Sequence, residues 1–171
     1  MMFSKSRLMN LPQQHILLKW TSLWILSTGR SKEYQDANFS IHVCYSTDYR
    51  ILFERGSDLK LHGYNLEFAN RDTNVPGMGR SERKAFAELP DLWSIDGSKF
   101  IGIGVTDVHI DFIEPVKLIE DRIKYAIKSI GDPAKIRVNP DCGLRTRSRE
   151  VGYTKLANMT EAVRNIRKDY S

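Results

Sequence analysis

His42 and Cys44 stand two residues apart in the run IHVCYS, residues 41–46, so on an extended strand both side chains leave from one face and can converge on a single cation. Taken alone, His-x-Cys is also what a core strand with a small buried thiol looks like. Glu67 adds a carboxylate between Leu66 and Phe68, where burial is costly unless a cation or several donors meet it. Its bland alternative is a solvent-facing position on an edge strand. Cys142 lies in the turn Asn139-Pro140-Asp141-Cys142-Gly143, in which Gly143 offers the backbone freedom to turn; here the alternative is an inert buried thiol. One imidazole, two thiols and one carboxylate together make an S₂NO donor set that suits tetrahedral zinc. Structural zinc sites usually gather Cys and His in tight local pairs. This set runs from His42 to Cys142 and includes a carboxylate, which points to a catalytic zinc with an exchangeable position.

Such a set needs a scaffold that brings distant segments together. Residues 39–45 read as a strand, after which Ser46 or Thr47 can cap a short helix that ends at Gly56. A second strand is expected over 61–68, followed by a polar, glycine-containing loop at 70–80 and a helical piece at 82–89. Residues 100–108, FIGIGVTDV, read as a third strand, nearly apolar as a strand covered on both faces would be. Pro115 opens a helix that runs to Ile130 and stops at Gly131. Residues 135–139 form a fourth strand, and 149–168 a long amphipathic helix with Tyr153, Leu156, Met159, Val163 and Ile166 inward. Upstream, residues 1–11 show no period; Pro12 can open a helix to about Ser27 whose Ile16, Leu17, Trp20, Leu23 and Trp24 share one face.

Strand and helix in alternation predict a parallel α/β architecture, either an open sheet or part of a barrel. The reactive residues fall at the C-terminal ends of strands, the face where barrel active sites assemble, and this favours a barrel. A chain of 171 residues is short of the about 250 that a closed barrel takes, so the expectation is a partial TIM (β/α)₈-type barrel of about four βα units.

Composition narrows the function classes. The length and the 41% hydrophobic content fit one globular core. A net charge of +5 comes from 26 Lys and Arg scattered among 21 acidic residues, not from a basic segment, so nucleic acid is not the expected partner. The apolar stretch at 15–26 is too short to span a bilayer, contains Lys19, and has no secretion-type cleavage signature, so no membrane association is expected. Two cysteines in metal-binding contexts fit a reducing, cytoplasmic setting.

Four segments in order, IHVCYS at 41–46, NLEFANRDT at 65–73, GIGVTDVHID at 102–111 and VNPDCGLRTR at 138–147, resemble the C-terminal catalytic barrel of the cobalamin-independent methionine synthases. The resemblance covers residue 39 to the C-terminus and leaves 1–38 as a poorly matching lead-in with one amphipathic helix. It implies that these segments are the last four strands of the barrel, and that His42, Cys44, Glu67 and Cys142 hold Zn²⁺. It further implies that Asp107 and His109 occupy the family's Asp-x-His near the methyl donor, with His109 as proton-transfer acid oriented by Asp107 on the same strand face. Arg145 and Arg147 are weaker candidates, for an anionic substrate tail. The implied reaction is methyl transfer from 5-methyltetrahydrofolate, as a polyglutamate, to the zinc-bound thiolate of homocysteine, making methionine. The first half of the barrel is missing from the match, so a truncated or split member is expected, one that self-associates or works with a complementing N-terminal half. The alternatives are a zinc thiol alkyltransferase with a methylcorrinoid donor or a coenzyme M acceptor, and a non-catalytic zinc-binding remnant.

Overall fold

The computed structural model describes residues 38–46, 48–56 and 59–170; Thr47 and the amphipathic stretch at 12–27 lie outside the described residues. Four strands, β1 (Ser40–Val43), β2 (Gly63–Leu66), β3 (Phe100–Gly104) and β4 (Ile136–Asn139), form one sheet in the order β1-β2-β3-β4. All three pairings are parallel. Parallel neighbours require crossovers, and here these carry α1 (Arg50–Gly56), α2 (Leu89–Ile95) and α3 (Val116–Ile130), with α4 (Arg149–Arg167) after β4.

The register separates the two faces of the sheet. Ile41, Tyr64, Ile101 and Ile136 lie at one level, and Val43, Leu66, Ile103 and Val138 at the next. These residues join Phe53, Leu89, Ile119, Ile123 and Ile166 from the helices in a single core. Each fully buried aliphatic or aromatic side chain contributes about 1.5–3 kcal/mol. The intervening positions, Ser40, His42, Gly63, Asn65, Gly102, Gly104, Arg137 and Asn139, are polar or glycine and point to the opposite face, with Phe100 the apolar exception at the start of β3.

The third strand is covered on both faces as expected, but the cover on the second face is largely polar. Beyond Phe100 at its start, β3 is apolar on the helix side only. A Cβ on Gly102 would collide with the side-chain oxygens of Asn65 and Asn139, and one on Gly104 with the carboxylate of Asp141, so the glycines leave room for neighbouring polar groups. The strand also stops at Gly104, so Asp107 and His109 sit in the loop that follows instead of sharing a strand face.

Helix boundaries follow their expected punctuation at α3: Pro115 is the N-cap and Gly131 closes the helix in the left-handed conformation, φ 79°. α4 begins with the Ser148 hydroxyl accepting from Val151 N. Its inward stripe includes Met159, Val163 and Ile166 as expected and departs at Tyr153. Tyr153 is 62% exposed, whereas Gly152, Lys155, Ala162 and Ile166 are buried. The helix is turned so that Lys155, a residue that sequence patterning assigns to solvent, reaches a buried carboxylate. The expected helix at 82–89 is turns and a short 3₁₀ segment, Phe86–Glu88, and regular helix begins only at Leu89 with Pro90 in its first turn.

The long loop after β2 is fastened by buried charge. Arg122 on α3 donates to Asp72 Oδ2 at 3.1 Å, to Thr73 O at 2.9 Å and to Val105 O at 2.8 Å, and Arg83 pairs with the same Asp72 oxygen at 3.2 Å. One arginine thereby ties the loops after β2 and β3 together. Among the described residues, no helix is long and apolar enough to cross a membrane.

Candidate metal centre

Parallel strands deliver their C-terminal ends to one edge of the sheet, and the four sequence candidates meet there. The ligand atoms of His42, Cys44, Glu67 and Cys142 all lie within 4.8 Å of one another. His42 is the third residue of β1 and exposed, Cys44 follows β1, Glu67 follows β2, and Cys142 lies three residues beyond β4. Glu67 is fully buried, which disposes of its surface-facing alternative.

Glu67 is held from several sides. Its Oε2 accepts from Tyr45 N at 2.6 Å and from Asn70 Nδ2 at 3.2 Å. Its backbone is gripped by Tyr49, whose hydroxyl donates to Glu67 O at 2.9 Å and accepts from Glu67 N at 3.0 Å. Burial pushes the Tyr49 phenol up to about 12, so the hydroxyl keeps its proton for that donation. Tyr45 aims its amide at the carboxylate from a left-handed conformation, φ 58°, which costs a non-glycine residue of the order of 1–3 kcal/mol and is found where surroundings enforce it. Glu67 Oε1 faces His109 Nε2 at 3.4 Å. Among the described residues, no Lys or Arg side chain pairs with this buried carboxylate.

The donor chemistry fits a soft-to-borderline divalent cation. Burial pushes the Cys44 thiol up, and neighbouring Cys142 and the Glu67 charge act in the same direction, so without a cation the pocket disfavours thiolate. A divalent ion among these four atoms reverses that balance, because its charge exceeds every other in the pocket.

Asp141, beside Cys142, is the residue that sequence reasoning passed over. Fully buried, it accepts from Phe68 N at 2.9 Å and Ala69 N at 3.0 Å through Oδ1, and from Asn70 N at 2.7 Å through Oδ2. One side chain at the end of β4 thus fixes the loop that begins directly after Glu67. Burial pushes the Asp141 carboxyl up to about 7 even though those three N–H groups pull it down. A buried acid in an Asn-Pro-Asp-Cys turn was the available signal. Gly143, by contrast, turns with ordinary extended angles, φ −69° and ψ 136°, so its special freedom is not used.

Asp107 does not touch the His109 ring. Its Oδ1 accepts from His109 N at 2.8 Å, which shapes the loop and not the imidazole directly. The His109 ring packs 5.1 Å from that of Tyr45 at the rim of the cluster. Arg147 pairs with Asp111 at 2.6 Å, and Arg145 is exposed.

The family described as "Cobalamin-independent synthase, Catalytic domain" matches residues 7–165. The chain belongs to this family. The match begins upstream of residue 39, where the sequence motifs start. Methionine synthase from Thermoplasma acidophilum is 58% identical over 146 residues, 83% of this chain and 43% of that protein. The one from Pyrococcus furiosus is 36% identical over 129 residues, 75% of this chain and 33% of the relative. Among solved structures, a B12-independent methionine synthase from Shewanella sp. W3-18-1, in complex with selenomethionine, superposes with a TM-score of 0.62 at 24% identity, over 82% of this chain and 42% of that one. The chain therefore spans under half the length of these relatives, and its fold is an α/β partial barrel of the TIM type within the synthase family.

Proposed function

We propose that this chain is the zinc-binding part of a methyltransferase that makes methionine from homocysteine, with His42, Cys44, Glu67 and Cys142 as the zinc ligands. The observation that carries the reading is the convergence of those four ligand atoms within 4.8 Å at the strand ends of a cobalamin-independent synthase catalytic domain. When bound, zinc supplies a Lewis acid that draws a thiol, ordinarily near pKa 8.5, into its nucleophilic thiolate form at neutral pH.

In the reaction, the homocysteine sulfur gives up its proton and forms a bond to the methyl carbon. The bond from that carbon to N5 of 5-methyltetrahydrofolate breaks, its electron pair stays on nitrogen, and nitrogen takes a proton. His109 is the group of this chain suited to that proton: it stands at the rim of the cluster, part-exposed, with Nε2 turned toward Glu67. Asp107 contributes by holding the His109 backbone. Tyr45, Asn70 and Tyr49 orient Glu67. The groups that grip the substrate amino acid and the folate belong, on this reading, to the part of the barrel that the chain does not span. A polyglutamate folate is the proposed donor, and a reducing cytoplasm, which keeps Cys44 and Cys142 as thiols, the proposed setting.

The test begins with zinc per chain in purified protein and in a Cys142→Ser variant. Near one zinc per chain in the parent, lost in the variant, supports the four-ligand site; a parent that binds no zinc sinks it. Methyl transfer to homocysteine is then assayed with a complementing N-terminal half, from methyltetrahydrofolate and from a methylcorrinoid. Turnover with the corrinoid alone would move the assignment to the other donor, and no turnover with either would leave a non-catalytic zinc-binding protein.

A further inference from the structure

Outside the ligand cluster lies a second set of buried charges that methyl transfer does not use. Lys155 of α4 and Glu114 are both fully buried and pair at 2.9 Å. Removing two such groups from water costs several kcal/mol each, and an apolar pair of the same volume is often at least as stable. Stability alone is therefore a poor reason for an ion pair in this position.

What the pair does is hold backbone. The segment between β3 and α3, residues 105–115, has neither helix nor strand. Glu114 Oε1 accepts from Asp107 N at 2.7 Å, while Lys155 Nζ donates to Phe112 O as well as to Glu114 Oε2. Asn158, one turn further along α4, donates to Glu114 O at 2.9 Å. From Asp107 the chain of bonds continues to His109 N, and the His109 ring ends against Tyr45 and 3.4 Å from Glu67. The last helix thus holds the far end of an otherwise irregular loop at Phe112 and Glu114, and the Glu114 carboxylate ties that end back to Asp107, with the one histidine of the loop between the two points.

We propose that Lys155 and Glu114 are positioning residues whose role is to set the His109 imidazole at the rim of the metal cluster. This rests on the reading of His109 as a functional group of that site. The pair acts through backbone, by fixing where the loop starts and stops, and contributes no atom to the reaction. Lys155, which has the wrong polarity for its buried place on α4, is thereby accounted for.

The test uses the whole chain with histidine-selective isotope labelling, at one fixed pH. The His109 signals are assigned with His109→Gln. The Tyr45 ring, 5.1 Å away, shifts those signals while the loop is held. In the double variant Lys155→Met, Glu114→Leu, which removes both charges and leaves Arg122 with Asp72 as its partner, the His109 signals are expected to move toward free-histidine values. Amide exchange over residues 107–112 should accelerate at least about tenfold, while exchange in β2 and β3 slows or quickens only with the global stability of the variant. Ile166→Val in the same helix is the control: it lowers the midpoint and leaves His109 unmoved. Unchanged His109 signals and exchange in the folded double variant overturn the proposal. If the double variant gives no cooperative melt, Glu114→Gln replaces it, judged by the same two readings. Zinc content is measured separately. A parent without zinc defeats the metal reading, yet the His109 signals of the metal-free chain still decide whether the pair positions the loop.

Discussion

Asp141→Asn removes the least possible and should be felt twice. The parent carboxylate meets three backbone donors, two on Oδ1 and one on Oδ2. The asparagine carbonyl oxygen has two lone pairs and can take over from Oδ1, but its amide nitrogen then points a donor at Asn70 N–H. At pH 8, above the carboxyl's value of about 7, one bond to a charged acceptor is lost, the other two lose their charge assistance, and a buried donor is left facing a donor. Bonds to charged groups contribute about 1.5–3 kcal/mol and an orphaned buried group costs about 1–3, so the net loss should be about 2–4 kcal/mol. For a domain of this size each kcal/mol moves the thermal midpoint by about 2–4 °C, which gives a fall of about 4–16 °C. Because the released loop starts at Phe68, directly after Glu67, zinc affinity should drop by about 10- to 100-fold, the usual effect of losing support behind a ligand. The assay is a circular dichroism melt in chelator, followed by competitive zinc titration at a temperature where both proteins are folded. A variant that melts within about 2 °C of the parent and binds zinc with the same Kd refutes the reasoning.

Tyr49→Phe deletes both bonds of the hydroxyl to the Glu67 backbone and should cost about 1–3 kcal/mol, read by urea melts, with weaker zinc binding at unchanged zinc stoichiometry. Gly104→Ala forces a methyl against the Asp141 carboxylate and, at 2.9 Å, against both Asp141 Cα and Leu66 O; a loss of about 1–3 kcal/mol is expected, and a neutral result would mean that the strand ends pack more loosely than described. Arg122→Met leaves Asp72 with Arg83 as its remaining cation and strips Thr73 O and Val105 O of a donor, so the chain should lose about 3–5 kcal/mol and the 70–80 loop should become the first site of limited proteolysis.

Much of the scaffold was readable because its signals are local. Gly56 and Gly131 stop helices where expected, Pro115 starts one, and the β-branched runs centre on the strands. The convergence of His42, Cys44, Glu67 and Cys142 was readable because alternation along an extended segment puts His42 and Cys44 on one face, and a carboxylate flanked by Leu66 and Phe68 calls for a partner. What stayed hidden depends on contacts distant in sequence. Asp141 finds its donors at Phe68, Ala69 and Asn70, and nothing in the local turn announces them. Tyr153 fits the apolar stripe of α4 by period, yet the buried pair with Glu114 fixes the helix with Lys155 inward and Tyr153 out. Residues 105–108 read as the end of the third strand from their composition. The ladder gives out at Gly104, where the bonds of Val105 and Thr106 go to Asn139 O and Asp141 N.

The alternation along the four strands also has an evolutionary reading. Ile101 and Ile103 face helix side chains that can shift to accept another aliphatic residue of similar volume, whereas Gly102 and Gly104, one step away, have no room for a methyl group. Tolerance to substitution along β3 should therefore rise and fall with every second residue. A library randomised on the helix side would return many folded members, and one randomised at the two glycines would return few.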